Sequence, residues 1–461
     1  MNTLPCVHVP APPSKSVSHR YLLAAALADG TSCISHTLES RDLERTRDLL
    51  CAAGAQMKPL PQNPDTSGGW RVTGMKGQPR GGTRAEPLDC NVEESGTTCR
   101  LLTAVLSAGR GFFRIHGTGR MHQRPLGDLV PALRALGARL HFEGQDNCPP
   151  LVLEACGLNP GLCGGELELG MDLSSQYFSG LLLAAPLAAQ PLRITLGGRK
   201  AVSWPYVGLT LQCLEDFGIG FLVETRPHPL GPWSAASAWR SLTEARPGCV
   251  RISVRPGVYH ASDHCVEGDW SGASYLLAAG ALGPRPVCVE NLHADSLQGD
   301  RSMLDILQKM GADLSVEPRS VTVRPSALHG ADLDMGNCPD LVPTVAVLAA
   351  FAQGSTRITN AAHLRHKESD RIAAPAAELT RLGVTVEQLP DGLVIHGDTR
   401  KPPVLAPGAG LSAHNDHRIA MSLALLDLRR SGARVRTLLD DPGVVGKSFP
   451  HFWQIWEKLT C

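Results

Sequence analysis

One arrangement of apolar and polar positions recurs five times along the chain. A stretch with apolar residues at three- and four-residue spacing ends on a glycine, and an alternating apolar–polar stretch follows. It reads DLLCAAGAQM around Gly54, ALRALGARLHF around Gly137, CLEDFGIGFLV around Gly218, ILQKMGADLSV around Gly311 and ELTRLGVTVEQ around Gly383. The first spacing predicts an amphipathic helix and the alternation a strand, with glycine where the helix stops in a left-handed cap. Successive units lie about 70 to 95 residues apart, too long a period for a solenoid, and predict a few compact α/β units grouped into larger domains. A sixth helix, FWQIWEKL (452–459), ends the chain without its strand. SSQYFSGLLLAAPLA (174–188) and GASYLLAAGALG (272–283) are apolar nearly all round and predict buried helices. LRITLGG (192–198) and RVRTLLD (434–440) read as strands. The stretch 226–248, rich in Pro, Ser and Ala, reads as a surface insertion.

Composition narrows the function. The chain has 461 residues, room for roughly two or three domains with sizeable cores. Lysine plus arginine number 44, as do aspartate plus glutamate, and aromatic residues are few. That balance argues against a dedicated nucleic-acid binder, so any cationic site must be local. The 14 cysteines are scattered, with no CxxC and no zinc-ligand spacing with histidine. Such usage predicts a reducing cytosol, thiols acting as small buried apolar residues, and no metal site. The opening MNTLPCVHVP lacks the charge-then-apolar order of a signal peptide, and the chain lacks an apolar run of about 18 residues. A cytoplasmic protein with no membrane span is the expectation.

Against this neutral background, cations crowd the edges of the units. PPSKSVSHR (12–20), ESGTTCR (94–100), GRMHQRPLGDL (119–129), LRHKESDRIAA (364–374), AHNDHRIAM (413–421) and GVVGKSFP (443–450) each set Lys or Arg before an apolar helix. Pro125 in the third is suited to a helix start. A helix start presents unpaired N–H groups and a partial positive charge, so anions are attracted there. One such edge reads as an ordinary capped helix start with solvated charges. Six of them on units of one geometry predict convergence on a single positive site, suited to one or two small polyanions. GVVGKS falls short of a nucleotide-binding loop, because Asp441 stands where that pattern needs glycine. Two carboxylates sit among the cations: Glu368, between Lys367 and Arg371, and Asp340, ahead of an apolar helix. Asp340 reads either as an acid–base group or as a helix N-cap. No GxSxG occurs, and no serine-hydrolase arrangement is evident.

The motifs PSKSVSHR, ESGTTCR, GRMHQRP, SSQ, SWPY, EGDWSGASY, PDLVPT, LRHKESDR, NDHR and GKSFP follow one another from Pro13 to Pro450. In this order they resemble the 5-enolpyruvylshikimate-3-phosphate synthase family of enolpyruvyl transferases. The resemblance implies an α/β fold of two similar domains, each of three βαβαββ repeats around parallel helices, the family's inside-out α/β barrel. It implies one domain of residues 1–14 with 262–461 and a second of residues 15–261, with the substrates closing the cleft between them. The implied reaction moves the enolpyruvyl group of phosphoenolpyruvate to the 5-hydroxyl of shikimate 3-phosphate, a shikimate-pathway step toward chorismate and aromatic amino acids. Phosphate leaves through addition, then elimination. No cofactor is implied, and the likeness suits a cytoplasmic monomer whose partners are these two small molecules, not nucleic acid or membrane.

Residue by residue, the resemblance implies that Lys15, Arg124 and Lys447 hold the phosphate of phosphoenolpyruvate, with the backbone at Gly96. Arg371 and Arg418 hold its carboxylate, which suits a planar guanidinium. Ser16, Arg20, Tyr206, His363 and Lys367 position shikimate 3-phosphate; Ser174, Ser175 and Ser203 bind its phosphate, and Gln176 bridges both ligands. Asp340 takes the 5-hydroxyl proton and Glu368 delivers a proton to the methylene, with Lys15 sharing in both transfers. Ser18 and His19 stay unassigned, as helix caps. Three residues depart from the common pattern: Glu94 and His363 for Asn, and Leu101 for Pro. Glu94 is expected near the site, turned away from the bound phosphate or paired with a cation such as Arg100 or Lys447. Two rivals remain: enolpyruvyl transfer to UDP-N-acetylglucosamine, whose family carries a reactive Cys in the loop matching GTGRMHQRP, and an RNA-end-binding protein of related fold.

Overall fold

The recurring pattern folds as recurring units. The computed structural model describes residues 4–61, 68–429 and 433–460. The chain divides into two compact units, one of residues 15–266 and one joining the chain up to Ser14 with the chain from Glu267 onward. It therefore passes from unit to unit twice, at Ser14–Lys15 and at Val266–Glu267.

In the unit 15–266, the helices Lys15–Leu27, Gly96–Ser107 and Gln176–Ala184 are buried along most of their length. Helices apolar on nearly every side must be covered on every side. Three sheets belong to this unit. Their strand orders are His264–Cys265, Thr31–Ser35, Gly69–Thr73, Gln56–Pro59; then Leu88–Asn91, Arg110–His116, Leu151–Cys156, Arg139–Phe142; then Ser234–Ala235, Phe221–Thr225, Val250–Val254, Leu192–Ala201, Glu166–Met171. All three follow one rule: a parallel pair, joined in the last two by a buried crossover helix, then an antiparallel hairpin. A parallel pair needs such a crossover, whereas a hairpin needs only a turn.

The other unit repeats the rule twice. Its sheets run Val7–Pro10, Val287–Glu290, Ser320–Arg324, Asp313–Glu317 and Asp332–Asp334, Gly354–Thr359, Gly392–Gly397, Thr385–Leu389. Its helices Trp270–Leu282 and Val342–Ala350 are buried at every residue. The five glycines picked out by the pattern all stand between an outer helix and a hairpin with positive φ, from +76° at Gly218 to +125° at Gly54. In each unit the first parallel pair joins strands distant in sequence, Val7–Pro10 with Val287–Glu290 and Thr31–Ser35 with His264–Cys265. The strand before each crossing stays in the unit the chain is leaving, and the helix after it opens the next unit.

The last repeat departs from the pattern. RVRTLLD, expected as a strand, winds into the short helix Val435–Leu438, and Leu439 makes a single parallel bridge to Leu411. Among the described residues no hairpin follows to pair with it, and a helical turn bonds some of its own backbone groups where a lone strand cannot. The closing helix Phe452–Thr460 buries Phe452, Trp453, Trp456 and Leu459. Pro125 also departs from expectation, since the helix after it begins only at Leu129. Within 226–248 the chain adds the edge strand Ser234–Ala235 and the turn Trp239–Ser241, both largely exposed. All 13 described cysteines are free thiols. No described helix is long and apolar enough to cross a membrane.

Candidate active site

Lys15 and Ser16 open the first buried helix of the unit 15–266. The Lys15 ammonium pairs with the Asp42 carboxylate, which comes from the neighbouring helix Arg41–Ala52. The Asp42 backbone carbonyl meanwhile accepts from Thr98 Oγ1 (3.2 Å), and Thr98 and Thr46 share a hydroxyl contact of 2.8 Å. Asp42 therefore ties the Lys15 helix start to the start of Gly96–Ser107. That second helix is capped by Ser95, whose Oγ accepts from the Thr98 amide at 3.2 Å. Ser18 and His19 cap nothing. Ser18 Oγ accepts from the Leu38 amide, and His19 Nδ1 lies 3.0 Å from Thr46 Oγ1. Burial first, then the charge of Lys15, lowers His19 to about 3, so it stays neutral.

Two guanidiniums crowd the start of Gly96–Ser107. A Cβ at position 96 would lie 2.3 Å from Arg124 Nη2 and 3.0 Å from Arg100 Nη1, so a larger residue there would push the two guanidinium ends aside. Arg124 donates to the Glu94 carbonyl at 3.0 Å. Arg100 donates to the Pro125 carbonyl and to Gln176 Oε1 (2.7 Å), and Gln176 Nε2 donates to Thr97 Oγ1 (2.8 Å). Gln176 is the first residue of its helix, so its side chain joins two helix starts. Its amide donates to Ser174 Oγ at 3.2 Å, and Ser175 is the N-cap position. Glu94 directs its carboxylate at the Gly119 turn, where a Cβ on Gly119 would meet Oε1 at 2.6 Å.

Ser203 and Tyr206 flank the start of helix Pro205–Asp216. Ser203 holds a left-handed backbone, φ 57°, unusual for a residue with a side chain. Arg20 is the hub behind them. It is buried, and its three nitrogens donate to Thr210 Oγ1, the Ser16 carbonyl, Ser179 Oγ and the Tyr206 carbonyl at 2.9–3.2 Å. Burial lowers its pKa to about 10, so it remains charged at neutral pH. These bonds join three helices, with Ser16 and Tyr206 on two of them.

The second cluster lies in the unit that starts at Glu267. Arg371 is 2% exposed and engages all three of its nitrogens. Nη1 donates to Asp340 (2.8 Å), Nη2 to Glu368 (2.6 Å) and to Asp416 (3.1 Å), and Nε to Asp416 (2.8 Å). Arg418 donates to the other Asp340 oxygen at 2.6 Å. Asp340 therefore caps no helix; it bridges two guanidiniums. Burial alone would raise its pKa, but Arg418 foremost, with Lys367 and Arg371, holds it below the ordinary carboxylate range. Arg371 is raised despite burial, through Asp416, Glu368 and Asp340. His363 is buried on the turn Ala362–His366. Lys447 ends the turn Pro442–Lys447, which packs against helix His417–Leu423.

Sequence reasoning missed several members of these clusters. Asp416 is fully buried, caps His417–Leu423 through the Arg418 amide (3.0 Å), and takes Ser369 Oγ at 2.9 Å as well as Arg371. Its position as the acidic residue before an apolar helix was a usable N-cap signal. Asp42, buried in an acidic first helical turn, carried no comparable signal. Asp300 is buried beside Ser271, which donates to it. Burial first, then the Asp340 charge, pushes it up to about 7.

With this geometry in hand, known proteins can be set beside the chain. The family model for EPSP synthase (3-phosphoshikimate 1-carboxyvinyltransferase) matches residues 7–229 and 244–456. The 3-phosphoshikimate 1-carboxyvinyltransferase of Methanosphaerula palustris is 38% identical over 446 residues, covering 96% of this chain and 94% of that protein. The protein of the same name from Thiobacillus denitrificans is 38% identical over 453 residues, covering 97% and 96%. A solved structure of EPSP synthase from Acinetobacter baumannii superposes with a TM-score of 0.75 at 27% identity, covering 98% of this chain and 95% of that one. Matched along almost its whole length, in sequence and in fold, the chain belongs to the EPSP synthase (3-phosphoshikimate 1-carboxyvinyltransferase) family.

Proposed function

We propose that the protein transfers the enolpyruvyl group of phosphoenolpyruvate to the 5-hydroxyl of shikimate 3-phosphate and releases phosphate. The observation that carries the chemistry is the pair Asp340 and Glu368 on the two terminal nitrogens of Arg371. Addition across the enol double bond needs a base at the hydroxyl and an acid at the methylene, held close together. In our reading Asp340 takes the hydroxyl proton as O5 attacks C2, and Glu368 gives a proton to C3. Elimination then reverses the C3 transfer as the C2–O bond to phosphate breaks.

Binding follows the charge. Lys15, Arg124, Lys447 and the Gly96 amide take the phosphate of phosphoenolpyruvate, with Gln176 alongside; Arg371 and Arg418 take its carboxylate. That carboxylate competes with Asp340 for Arg418. Once Asp340 loses part of that hold, its proton affinity rises, so substrate binding itself prepares the base. Ser16, Tyr206, Lys367 and His363 orient shikimate 3-phosphate, while Ser174, Ser175 and Ser203 take its phosphate. Arg20, whose nitrogens already serve protein oxygens, supports that set from behind. We read the enzyme as a cytoplasmic monomer acting on these two small molecules and on no nucleic acid; the free thiols support a reducing compartment.

The test is phosphate release by the purified protein. Release with both substrates, and none without the shikimate ester, is expected. Release with UDP-N-acetylglucosamine in its place, and none with shikimate 3-phosphate, overturns the reading.

A further inference from the structure

The insertion 226–248 lies outside the motifs that carry the function, and residues 230–243 of it fall outside the two stretches matched by the family model. It is nonetheless fastened to its own unit. Ser234–Ala235 extends the sheet beside Phe221–Thr225. The guanidiniums of Arg226 and Arg251 both lie over the Trp233 ring, 4.2 and 4.4 Å from its centroid. Trp239 meets Phe221 edge-on at 5.5 Å. Cation–π and aromatic contacts of this kind hold an otherwise exposed segment in one place.

Two further bonds reach past the sheet. Arg240 pairs with Glu215, near the C-terminal end of helix Pro205–Asp216. At the other end of that helix the indole of Trp204, 3% exposed, donates from Nε1 to the Leu242 carbonyl at 2.8 Å. The insertion thus grips one helix at both ends. Trp204 sits between Ser203, in its left-handed conformation, and the helix that carries Tyr206 and Thr210. A residue with a side chain is strained in that conformation and persists there only where its surroundings fix it.

We propose that the insertion is a brace. Through the Leu242–Trp204 bond it holds the Ser203–Tyr206 turn in the shape that receives shikimate 3-phosphate, and Trp204 is a positioning residue for that substrate. This rests on the placement of shikimate 3-phosphate at Ser203 and Tyr206 given above. A brace acts on the binding of one substrate and not on the chemical step, so it separates KM from kcat.

The test is steady-state kinetics on Trp204→Phe, which keeps an aromatic ring and removes the donor together with part of the indole. The same substitution is also made in a chain whose residues 230–243 are replaced by a short Gly-Ser linker. Trp204→Phe in the full chain is expected to raise KM for shikimate 3-phosphate about three- to tenfold, the effect of one lost hydrogen bond, with kcat and KM for phosphoenolpyruvate within about twofold. In the linker chain the substitution is expected to add nothing further, because the two changes remove one interaction. An unchanged KM in Trp204→Phe, with a raised KM in Ser203→Ala, overturns the brace and leaves the substrate placement standing. An equal rise from Trp204→Phe in both chains also overturns it, since the indole then acts without the insertion. If Ser203→Ala and Tyr206→Phe leave that KM unchanged, the substrate placement itself falls, and the brace with it. Should the linker chain fail to fold, the single substitution in the full chain still decides.

Discussion

The cluster around Gly96 and the cluster around Arg371 both stand at buried helix starts, yet they treat charge differently. At Gly96 the groups are hydroxyls, amides, Gln176 and two guanidiniums, with Asp42 as the carboxylate that Lys15 touches. Around Arg371, three carboxylates already occupy the guanidinium, and Asp300 lies buried nearby. In the proposed reading the first cluster receives an anion. The second supplies its own counter-ions, so an incoming carboxylate must exchange with one already present. A site neutralised in this way can move protons, because each carboxylate has a proton affinity set by what its guanidinium is doing.

Removing the groups proposed to transfer protons tests that division most severely. Glu368→Gln and Lys15→Met are each expected to lower kcat by about 10²- to 10⁴-fold, the usual worth of a positioned proton-transfer group. Circular dichroism should show the fold intact. Turnover within tenfold of the parent in either variant would remove that residue from the mechanism. Next in size is Asp416→Asn. The fully buried carboxylate serves Arg371 twice, Ser369 and the Arg418 amide, so losing its charge weakens four buried bonds, although Asp340 and Glu368 still pair with Arg371. A loss of about 1.5–3 kcal/mol in urea unfolding is expected, the worth of hydrogen bonds to a charged group. At Gly96 the corresponding change is steric. Gly96→Ala drives a methyl against Arg124, and KM for phosphoenolpyruvate should rise about tenfold or more, with little effect on KM for shikimate 3-phosphate.

Much of this difference was legible in the chain, and the part that was not has a physical cause. Helix, glycine and strand could be read because periodicity and the left-handed cap are local properties. The cations could be read because Lys and Arg crowded before apolar helices are conspicuous in a neutral protein. Asp42 and Asp416 could not be placed as partners of Lys15 and Arg371, since they lie 27 and 45 residues away in sequence. Only the packing of neighbouring helices brings them together. RVRTLLD misled for a similar reason: alternation marks a strand only where a partner strand exists, and among the described residues the last repeat offers only the bridge to Leu411. The neighbours of Arg20 across three helices, which accept from its nitrogens, are equally invisible to local pattern.

The second cluster also predicts two pH dependences of opposite sign. Asp340 and Asp416 are held below the ordinary range, so the stability they contribute is present above the unfolded pKa near 4 and is lost as pH falls through their folded values. Asp300 is pushed up to about 7, so the folded state binds its proton more tightly than the unfolded chain does. Stability from Asp300 is therefore full below about pH 4 and is lost as pH rises through 7. Asp300→Asn should become more stable relative to the parent as pH goes from 4 to 8, by about 1 kcal/mol or more. A constant difference between the two proteins across that range would show that Asp300 does not titrate as described.

The smallest effect is expected where the first cluster carries a carboxylate that its purpose does not call for. Glu94 stands beside the Gly96 helix start, where a negative charge opposes a bound phosphate, yet its carboxylate is directed at the Gly119 turn and its carbonyl serves Arg124. The side chain is only partly buried, so water and salt screen its charge, and the backbone carbonyl is kept by any substitution. Glu94→Gln should therefore lower KM for phosphoenolpyruvate by less than about threefold at physiological salt, with a larger drop at low ionic strength. A change well above tenfold, or one indifferent to salt, would mean that Glu94 faces the phosphate directly. The Gly96 cluster would then resemble the Arg371 cluster, with an internal counter-ion that substrate must displace, and the contrast between the two would disappear.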